Sequence, residues 1–140
     1  MIINFHPKEI PSVKGLDIIN TLNANEKHEV FHSTDKTTDE WKTIFKGDEK
    51  LILVAPTFWW GFSYEFDKWA QEVLSYGFAY QYTAEGMPEG LLNGRAFEFH
   101  TTQGTPEAYA TVMRANMKQR LETGIFGFCG AKVDVHFYVK

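Results

Sequence analysis

An unbroken apolar run in the middle of the chain, residues 51–55 (LILVA), is followed directly by Pro56. Five consecutive apolar residues are typical of a parallel strand buried on both faces, because helices cover both sides of such a sheet. Proline lacks the N–H group that a strand ladder uses, so we expect Pro56 to end the strand. The run therefore predicts a central strand, and it constrains the fold to layers of helices on a parallel sheet.

Shorter apolar runs alternate with helical patterns on both sides of this strand. We predict further strands at residues 2–5, 28–32, 95–101 and 132–139. We predict helices at residues 13–22, 39–45, 62–76 and 106–130, with Gly77 ending the third and Thr105 capping the last. This alternation predicts one doubly wound α/β domain over residues 1–140, whose five-stranded parallel sheet has the order 2-1-3-4-5.

The composition supports a single core and argues against several kinds of partner. The chain is 44% apolar, and its net charge of -4 comes without a cluster of Lys or Arg, so we expect no nucleic-acid binding. Cys129 is the single cysteine and is interpreted as a small buried hydrophobe. No charged leader precedes the first apolar run, and no run reaches the roughly 20 residues of a membrane span. We expect a cytoplasmic protein without direct membrane insertion.

Three segments follow the carboxyl ends of predicted strands, at residues 6–15, 56–61 and 101–109. In a doubly wound sheet such loops converge on one cleft near the point where the strand order reverses. These segments would bring backbone amides, hydroxyl groups and aromatic faces together. The combination suits a ligand that carries a flat ring.

Four motifs in this order resemble those of the flavodoxin-like NAD(P)H:quinone reductases, the family that includes potassium-efflux ancillary oxidoreductases and drug-activity modulator proteins. They are the pair His6-Pro7 with Ser12, the loop from Pro56 to Trp59, the segment Gly77-Phe78-Ala79-Tyr80, and Thr101-Thr102 with Gly104 and Tyr109. The resemblance implies a flavodoxin-like fold, a bound flavin (FMN or FAD) and NAD(P)H as co-substrate. It also implies a quinone or similar flat acceptor and a homodimer.

The same resemblance implies a role for each matched residue. The residues implied in flavin binding are His6, Ser12, Pro56, Thr57, Phe58, Trp59, Trp60, Thr101, Thr102, Gln103 and Gly104. His6 and Ser12 would hold the flavin phosphate at the amino end of the first helix. Tyr109 would be catalytic, through a hydrogen bond to charge that develops during hydride transfer. Tyr80 and Tyr82 would line the substrate pocket across a two-fold interface.

Several of these residues also have a purely structural interpretation, and His6 could be a surface residue at the end of its strand. Ser12 is a common helix cap, and Trp59 and Trp60 could pack in the core. Tyr109 could pack along its helix. Tyr80 and Tyr82 could be exposed aromatic residues in the loop of a monomer.

The chain differs from the family pattern at several positions. Gln103 replaces a glycine, Gly15 an asparagine and Ser63 a proline, and no histidine follows Tyr109 before His136. The family also continues past the last strand into a closing helix, which this chain lacks after Lys140. These differences favour an alternative function, a non-catalytic regulatory or ancillary partner with weak or no flavin binding.

Polar residues alternate with apolar ones along the last two predicted strands. Glu98, His100, Asp134 and His136 would all lie on the face that the closing helix covers in the family. We expect this face to be exposed to solvent or to meet a partner, because burying several charges without partners is costly. Two histidines and two carboxylates are also compatible with a metal site. We interpret them as a solvated face and predict no metal.

Overall fold

The computed structural model describes residues 1–10 and 12–139. The strands are β1 (Ile2–Asn4), β2 (Val30–His32), β3 (Leu51–Phe58), β4 (Gly61–Phe62), β5 (Tyr80–Tyr82), β6 (Pro88–Gly90), β7 (Ala96–Gln103) and β8 (Lys132–Val139). The helices are α1 (Val13–Asn25), α2 (Thr38–Lys46), α3 (Tyr64–Val73) and α4 (Glu107–Gln119), and a π-helical segment (Arg120–Ile125) continues α4. None of the helices in the described ranges has both the length and the hydropathy that crossing a membrane requires.

The main sheet has the order β2-β1-β3-β7-β8, with every neighbouring pair parallel. This is the predicted five-stranded order, and β3 lies at its centre as its apolar run indicated. Leu51 and Leu53 on one face of β3 and Ile52 and Val54 on the other are all buried. The chain therefore has the predicted doubly wound α/β fold.

Two cores of different size cover the two faces of the sheet. The larger core holds Ile3, Phe5, Leu53 and Phe99 together with Trp41, Phe45, Phe66, Trp69, Leu121 and Phe126. Its aromatic rings meet mainly edge to face, as Phe66 does with Phe5 and Phe99 at centroid distances of 5.2 Å. On the other face, Ile18 and Ile19 of α1 pack on Ile52 and Val54 of β3. The aromatic cluster is thus the main source of hydrophobic stabilisation, since each such ring buries a large apolar area.

Serine side chains cap the amino ends of two helices. Ser12 Oγ accepts a hydrogen bond from the Gly15 amide at 3.1 Å and caps α1. Ser63 Oγ accepts from the Phe66 amide at 3.2 Å and donates to the Phe5 carbonyl at 2.6 Å. The serine that replaces the family proline therefore caps α3 and ties it to the end of β1.

The prediction that Pro56 ends the central strand is wrong, because β3 continues to Phe58. The register of β1 on β3 ends at Val54, whereas β7 pairs with β3 as far as Pro56. Beyond Val54, β3 therefore has a strand neighbour on one side and tolerates a proline as an edge strand does.

Helix ends also differ from the predictions. The third helix ends at Val73, since Leu74 leaves the helical conformation, and Gly77 lies in the following turn with φ of 82°. Thr105 is not the cap of α4, because Pro106 occupies that position and makes no side-chain capping bond.

The predicted helix over residues 106–130 is only partly correct. Regular α-helix ends at Gln119, and the π-helical segment that continues it ends at Ile125. After Gln119 the backbone widens, and the Phe126 amide donates to the Leu121 carbonyl at 2.9 Å. A Cβ on Gly127 would lie 2.0 Å from the Glu122 carbonyl oxygen, so a glycine permits this close approach. The chain then turns into β8, which has the predicted bounds.

Of the four side chains predicted on the uncovered face, His100 does not fit the expectation. His100 is only 3% exposed; the parallel ring of His136 stacks on it at 4.5 Å, and the ring of Tyr138 lies 5.7 Å away. Glu98, Asp134 and His136 keep 30%, 74% and 41% of their side chains exposed. His100 is therefore buried, whereas the other three side chains are at least partly exposed as predicted.

Candidate functional site

The carboxyl ends of β1, β3 and β7 converge as predicted, and two cavities lie between them. The first is lined by His6, Ile10, Ser12, Lys14, Pro56, Thr57, Phe58, Thr102, Gln103 and Gly104. The second is lined by Thr57, Trp59, Trp60, Gln103, Gly104 and Thr105. Because both share Thr57, Gln103 and Gly104, we treat them as one region, the loop cleft. It contains every predicted flavin-binding residue except Thr101.

Thr101 lies beneath the loop cleft and is fully buried. Its hydroxyl group shares a hydrogen bond of 2.8 Å with the hydroxyl group of Thr57, which lines both cavities. In this structure Thr101 positions Thr57.

A tight hairpin forms one wall of the loop cleft. β3 and β4 pair antiparallel with Phe58 opposite Gly61, so Trp59 and Trp60 are the two loop residues. Both have positive φ, 51° and 60°, which costs a non-glycine residue about 1–2 kcal/mol. Turns of this kind usually carry Asn or Gly, so sequence reasoning missed the hairpin. Strained backbone of this kind clusters at ligand sites.

The two tryptophans have different environments. The Trp59 side chain is fully exposed, so core packing does not explain it. Trp60 is half-buried and packs against the main core. Its ring also lies 5.8 Å from the ring of Tyr109 at an interplanar angle of 33°. Tyr109 itself is 65% exposed, so packing along α4 does not account for it.

His6 lies buried at the other end of the loop cleft. Its Nδ1 lies 2.8 Å from Asn4 Oδ1, and this amide oxygen only accepts, so Nδ1 carries the ring proton. Its Nε2 is buried without a hydrogen-bond partner among the described residues. Burial, with a smaller contribution from the nearby His32, lowers the pKa of His6 to about 4. The ring is therefore neutral at pH 7.

The glycine that replaces the family asparagine makes room for this ring. A Cβ on Gly15 would come within 2.4 Å of Cε1 of His6. Gly15 also donates its amide to Ser12 Oγ. The residues His6, Ser12 and Gly15 thus form one packed corner at the amino end of α1.

Two further polar atoms at the loop cleft are buried and lack a partner in the part of the chain that the structure describes. They are the ammonium nitrogen of Lys14 and the hydroxyl oxygen of Thr105. An ammonium group without a partner is costly to bury, and an anionic ligand would remove that cost. Lys14 lines the cavity at the amino end of α1, whereas Thr105 lines the cavity beside Trp59 and Trp60. With the free amides of the first turn of α1, Lys14 offers a set of donors that fits a phosphate group. The sequence alone indicated Thr105 only as a helix cap and did not indicate Lys14, because burial depends on tertiary packing.

Gln103 keeps its side chain out of the loop cleft. Its amide nitrogen donates to the sulfur of Met117 at 3.4 Å, and its amide oxygen accepts from Nε of Arg114 at 3.3 Å. A Cβ on Gly104 would meet no described atom within 4 Å, so packing does not require this glycine. The backbone of residues 103–104 is thereby left facing the cavities.

Tyr80 and Tyr82 do not line the loop cleft. They lie on β5 beside a separate cavity, the hairpin cavity, which is lined by Asp67, Ala70, Gln71, Leu74, Ser75, Tyr76, Tyr80, Tyr82, Arg120, Gly124, Ile125, Phe128 and Cys129. Arg120, which lines this cavity, pairs with Asp67 at 3.2 Å, and its guanidinium lies 5.3 Å from the ring of Phe62. Sequence reasoning did not single out Arg120.

Cys129 has the structural role expected of it. The residue is 3% exposed, and burial raises the pKa of its thiol to about 11. A thiol that stays protonated at neutral pH is a poor nucleophile.

Comparison with known proteins identifies relatives of this chain. Residues 2–140 match the Flavodoxin_2 family, described as having the flavodoxin-like fold. An FMN-dependent NADH:quinone oxidoreductase of Mycoplasmoides gallisepticum is 27% identical over 123 residues, which are 86% of this chain and 58% of that protein. The chain thus spans little more than half the length of this relative.

Solved structures share the fold at lower sequence identity. Smu.1420 from Streptococcus mutans superposes with a TM-score of 0.78 and 19% identity, covering 99% of this chain and 85% of the other. The general stress protein 14 of Treponema denticola, solved in complex with FMN, superposes with a TM-score of 0.70 and 20% identity. The match covers 99% of this chain and 83% of the other.

Proposed function

The chain belongs to the Flavodoxin_2 family and has its flavodoxin-like fold, and on this basis we propose that it is a flavin-dependent NAD(P)H oxidoreductase. It passes hydride from NAD(P)H through bound FMN to a quinone or a similarly flat acceptor. The observation that carries the proposal is the loop cleft, where the unpaired ammonium group of Lys14 lines one cavity and the strained turn of Trp59 and Trp60 lines the other. FMN is preferred over FAD because the similar proteins are named for FMN.

The phosphate end of the ligand binds at the amino end of α1. Lys14 supplies a positive charge, and the first-turn amides supply donors. His6 is neutral and its Nε2 has no proton, so it can contact a phosphate only after it takes up a proton. A bound dianion would favour that protonated form.

The flat end of the ligand lies at the strained hairpin. Trp59 is free to cover a ring, and Thr57, Gln103 and Gly104 line the cavity beside it. The bound flavin supplies the chemistry of accepting and donating hydride. Tyr109, whose ring lies beside Trp60, offers a hydroxyl group to oxygen charge that develops on the acceptor.

We extend the proposal to a homodimer in which Tyr80 and Tyr82 reach the acceptor site of the partner subunit. Within one chain these residues line the hairpin cavity and not the loop cleft. Tyr82 is 51% exposed and Met87 in the same hairpin is 64% exposed. An exposed apolar hairpin is well suited to a two-fold contact.

A non-catalytic flavodoxin-like partner protein is the second candidate. It is favoured by one specific observation: no histidine lies between Tyr109 and His136, although the family pairs its tyrosine with a nearby histidine. Such a protein would use the loop cleft for weak binding or leave it unused.

Anaerobic spectroscopy separates the two candidates. We expect the protein loaded with FMN to lose its yellow colour when NADH or NADPH is added and to regain it when a quinone follows. Bound flavin that neither nucleotide bleaches would support the partner protein. A protein that binds no flavin would contradict the proposed oxidoreductase.

A further inference from the structure

A cluster of polar side chains lies on the face of β7 and β8 that faces away from the aromatic core. Its members are Glu98, His100, Asp134 and His136, and we refer to them as the strand cluster. Glu98 pairs in register with Asp134, and His100 pairs with His136. Because residues two apart on a strand share a face, the register brings all four side chains to one patch.

Distances within the strand cluster are short. His100 Nε2 lies 3.2 Å from Glu98 Oε2, and His136 Nε2 lies 2.9 Å from Asp134 Oδ2. The two imidazole rings are parallel within 7° at a centroid distance of 4.5 Å. One ligand atom each from Glu98, His100 and His136 lies within 4.8 Å of the other two.

We propose that the strand cluster binds a single divalent transition-metal ion of the zinc type, with Glu98, His100 and His136 as ligands. Imidazole nitrogen and carboxylate oxygen are a donor set that zinc, nickel and copper ions accept. Asp134, beside His136, or a water molecule completes the coordination.

Binding requires one ring to turn, because a histidine nitrogen coordinates a metal in the plane of its ring and the planes of His100 and His136 are parallel within 7°. Ligand atoms at about 2.1 Å from a tetrahedral zinc ion are about 3.4 Å apart, so the His100–Glu98 pair at 3.2 Å already has this spacing. The three ligand atoms lie within 4.8 Å of one another, so none of their separations must close by more than roughly 1.4 Å. The His136 side chain is 41% exposed, so it has room to tilt towards the other two ligands.

Tyr138 orients the buried ligand. Its hydroxyl group lies 2.9 Å from His100 Nδ1. When this oxygen accepts a hydrogen bond from a protonated Nδ1, the lone pair of Nε2 faces Glu98. In the same way an outer partner fixes the histidine tautomer in many metal sites. Without an ion, Nε2 carries the proton instead and donates it to Glu98, so the same network is satisfied in both forms.

Charged groups surround the strand cluster. Burial lowers the pKa of His100, and the hydrogen bond that His100 donates to Glu98 opposes that shift. Burial of Glu98 would raise its pKa, but the contacts with His100 and Lys50 outweigh burial and lower it. Lys50 Nζ lies 3.5 Å from Glu98 Oε1 and also pairs with Glu26. Two carboxylates therefore face one ammonium group within the patch.

The strand cluster is separate from the loop cleft. None of its four residues lines either of the two cavities there. The proposal therefore does not depend on the proposed flavin function.

Calorimetric titration of the chelator-treated protein with Zn²⁺ tests the proposal. We expect one ion per chain in the wild type, and an affinity at least about 100-fold lower in His136→Gln and in Glu98→Gln. The control is His28→Gln, since His28 is also a buried histidine beside a carboxylate, 3.8 Å from Glu26. The affinity of His28→Gln for Zn²⁺ should equal that of the wild type. No binding by the wild type, or equal binding by His136→Gln, would overturn the proposal.

Nuclear magnetic resonance identifies the ligands without relying on a variant that folds. On addition of Zn²⁺ we expect the ring nitrogen signals of His100 and His136 to shift together and to saturate at one equivalent. Shifts confined to His6, His28 or His32 would place the ion elsewhere and overturn the proposal. His100→Gln is a useful third variant only if its circular dichroism matches the wild type, because the ring is buried.

Discussion

The imidazole of His6 lies directly against Gly15, at a distance where a Cβ would come within 2.4 Å of the ring. The contact joins the end of β1 to the first turn of α1, and it holds His6 and Ser12 at one end of the loop cleft. A local departure from the family pattern, glycine for asparagine, is thus explained by a single packing contact.

Gly15→Ala is expected to lower the free energy of unfolding by about 1–3 kcal/mol, because the methyl group displaces the buried His6 ring. Gly124→Ala is the matched control, since its Cβ would meet the Arg120 side chain only at 4.0 Å. Urea denaturation measures the free energy of unfolding of both variants. Equal stability of Gly15→Ala and the wild type would contradict the contact.

Lys14→Met is expected to leave the flavin-free protein as stable as the wild type or more so, because it removes a buried ammonium group without a partner in the described chain. The same change should weaken FMN binding about tenfold or more, since a charge-assisted contact with phosphate is lost. Lys27→Met, at an exposed site beyond the far end of α1, is the control. Unaltered FMN affinity in Lys14→Met would exclude Lys14 from the phosphate site.

The stability of the flavin-free protein should depend on pH through His6. Its pKa is about 4 in the folded chain and near its ordinary 6.5 when unfolded, so the unfolded state binds more protons in between. The contribution of His6 to the free energy of unfolding is complete above pH 6.5 and is lost as the pH falls towards 4. Denaturation at several pH values should give a shallower loss in His6→Gln. Parallel profiles would show that His6 titrates normally.

Glycine substitutions at Trp59 and Trp60 should change the stability of the protein in opposite directions. Trp59→Gly relieves a positive φ and removes a fully exposed side chain, so we expect a gain of about 1 kcal/mol in stability and weaker FMN binding. Trp60→Gly also loses contacts with the core and with Tyr109, so we expect a net loss of stability. Thermal unfolding and flavin titration of both variants check this contrast. A loss of stability in Trp59→Gly would mean that its side chain packs in solution.

Tyr109→Phe keeps the ring beside Trp60 and removes only the hydroxyl group. We expect slower quinone reduction at unchanged FMN affinity, because the lost interaction forms as charge develops. Steady-state kinetics with NADH and a quinone give the turnover rate, and a flavin titration gives the affinity. A wild-type rate would remove Tyr109 from the mechanism.

Most of the fold was predictable because it follows from local patterns. The apolar run at residues 51–55 predicted the central strand, and alternation predicted β8 with its observed bounds. The hairpin at Trp59 and Trp60 was not predictable, because neither residue favours positive φ and tertiary contacts must impose it.

The candidate site was predictable only in part, for a related reason. The motifs indicated which loops converge, but burial of Lys14, Thr105 and His100 depends on neighbours that are remote in sequence. Spacing alone does not reveal such neighbours. The same limit explains why the widened backbone after Gln119 was predicted as ordinary helix.

The central claim, that the loop cleft binds FMN, is tested most directly by titrating the flavin-free protein with FMN and following flavin fluorescence. We predict saturation at one FMN per chain, with clearly weaker binding in Lys14→Met than in Lys27→Met. Absence of saturable binding by the wild type, or equal binding by the two variants, would contradict the account.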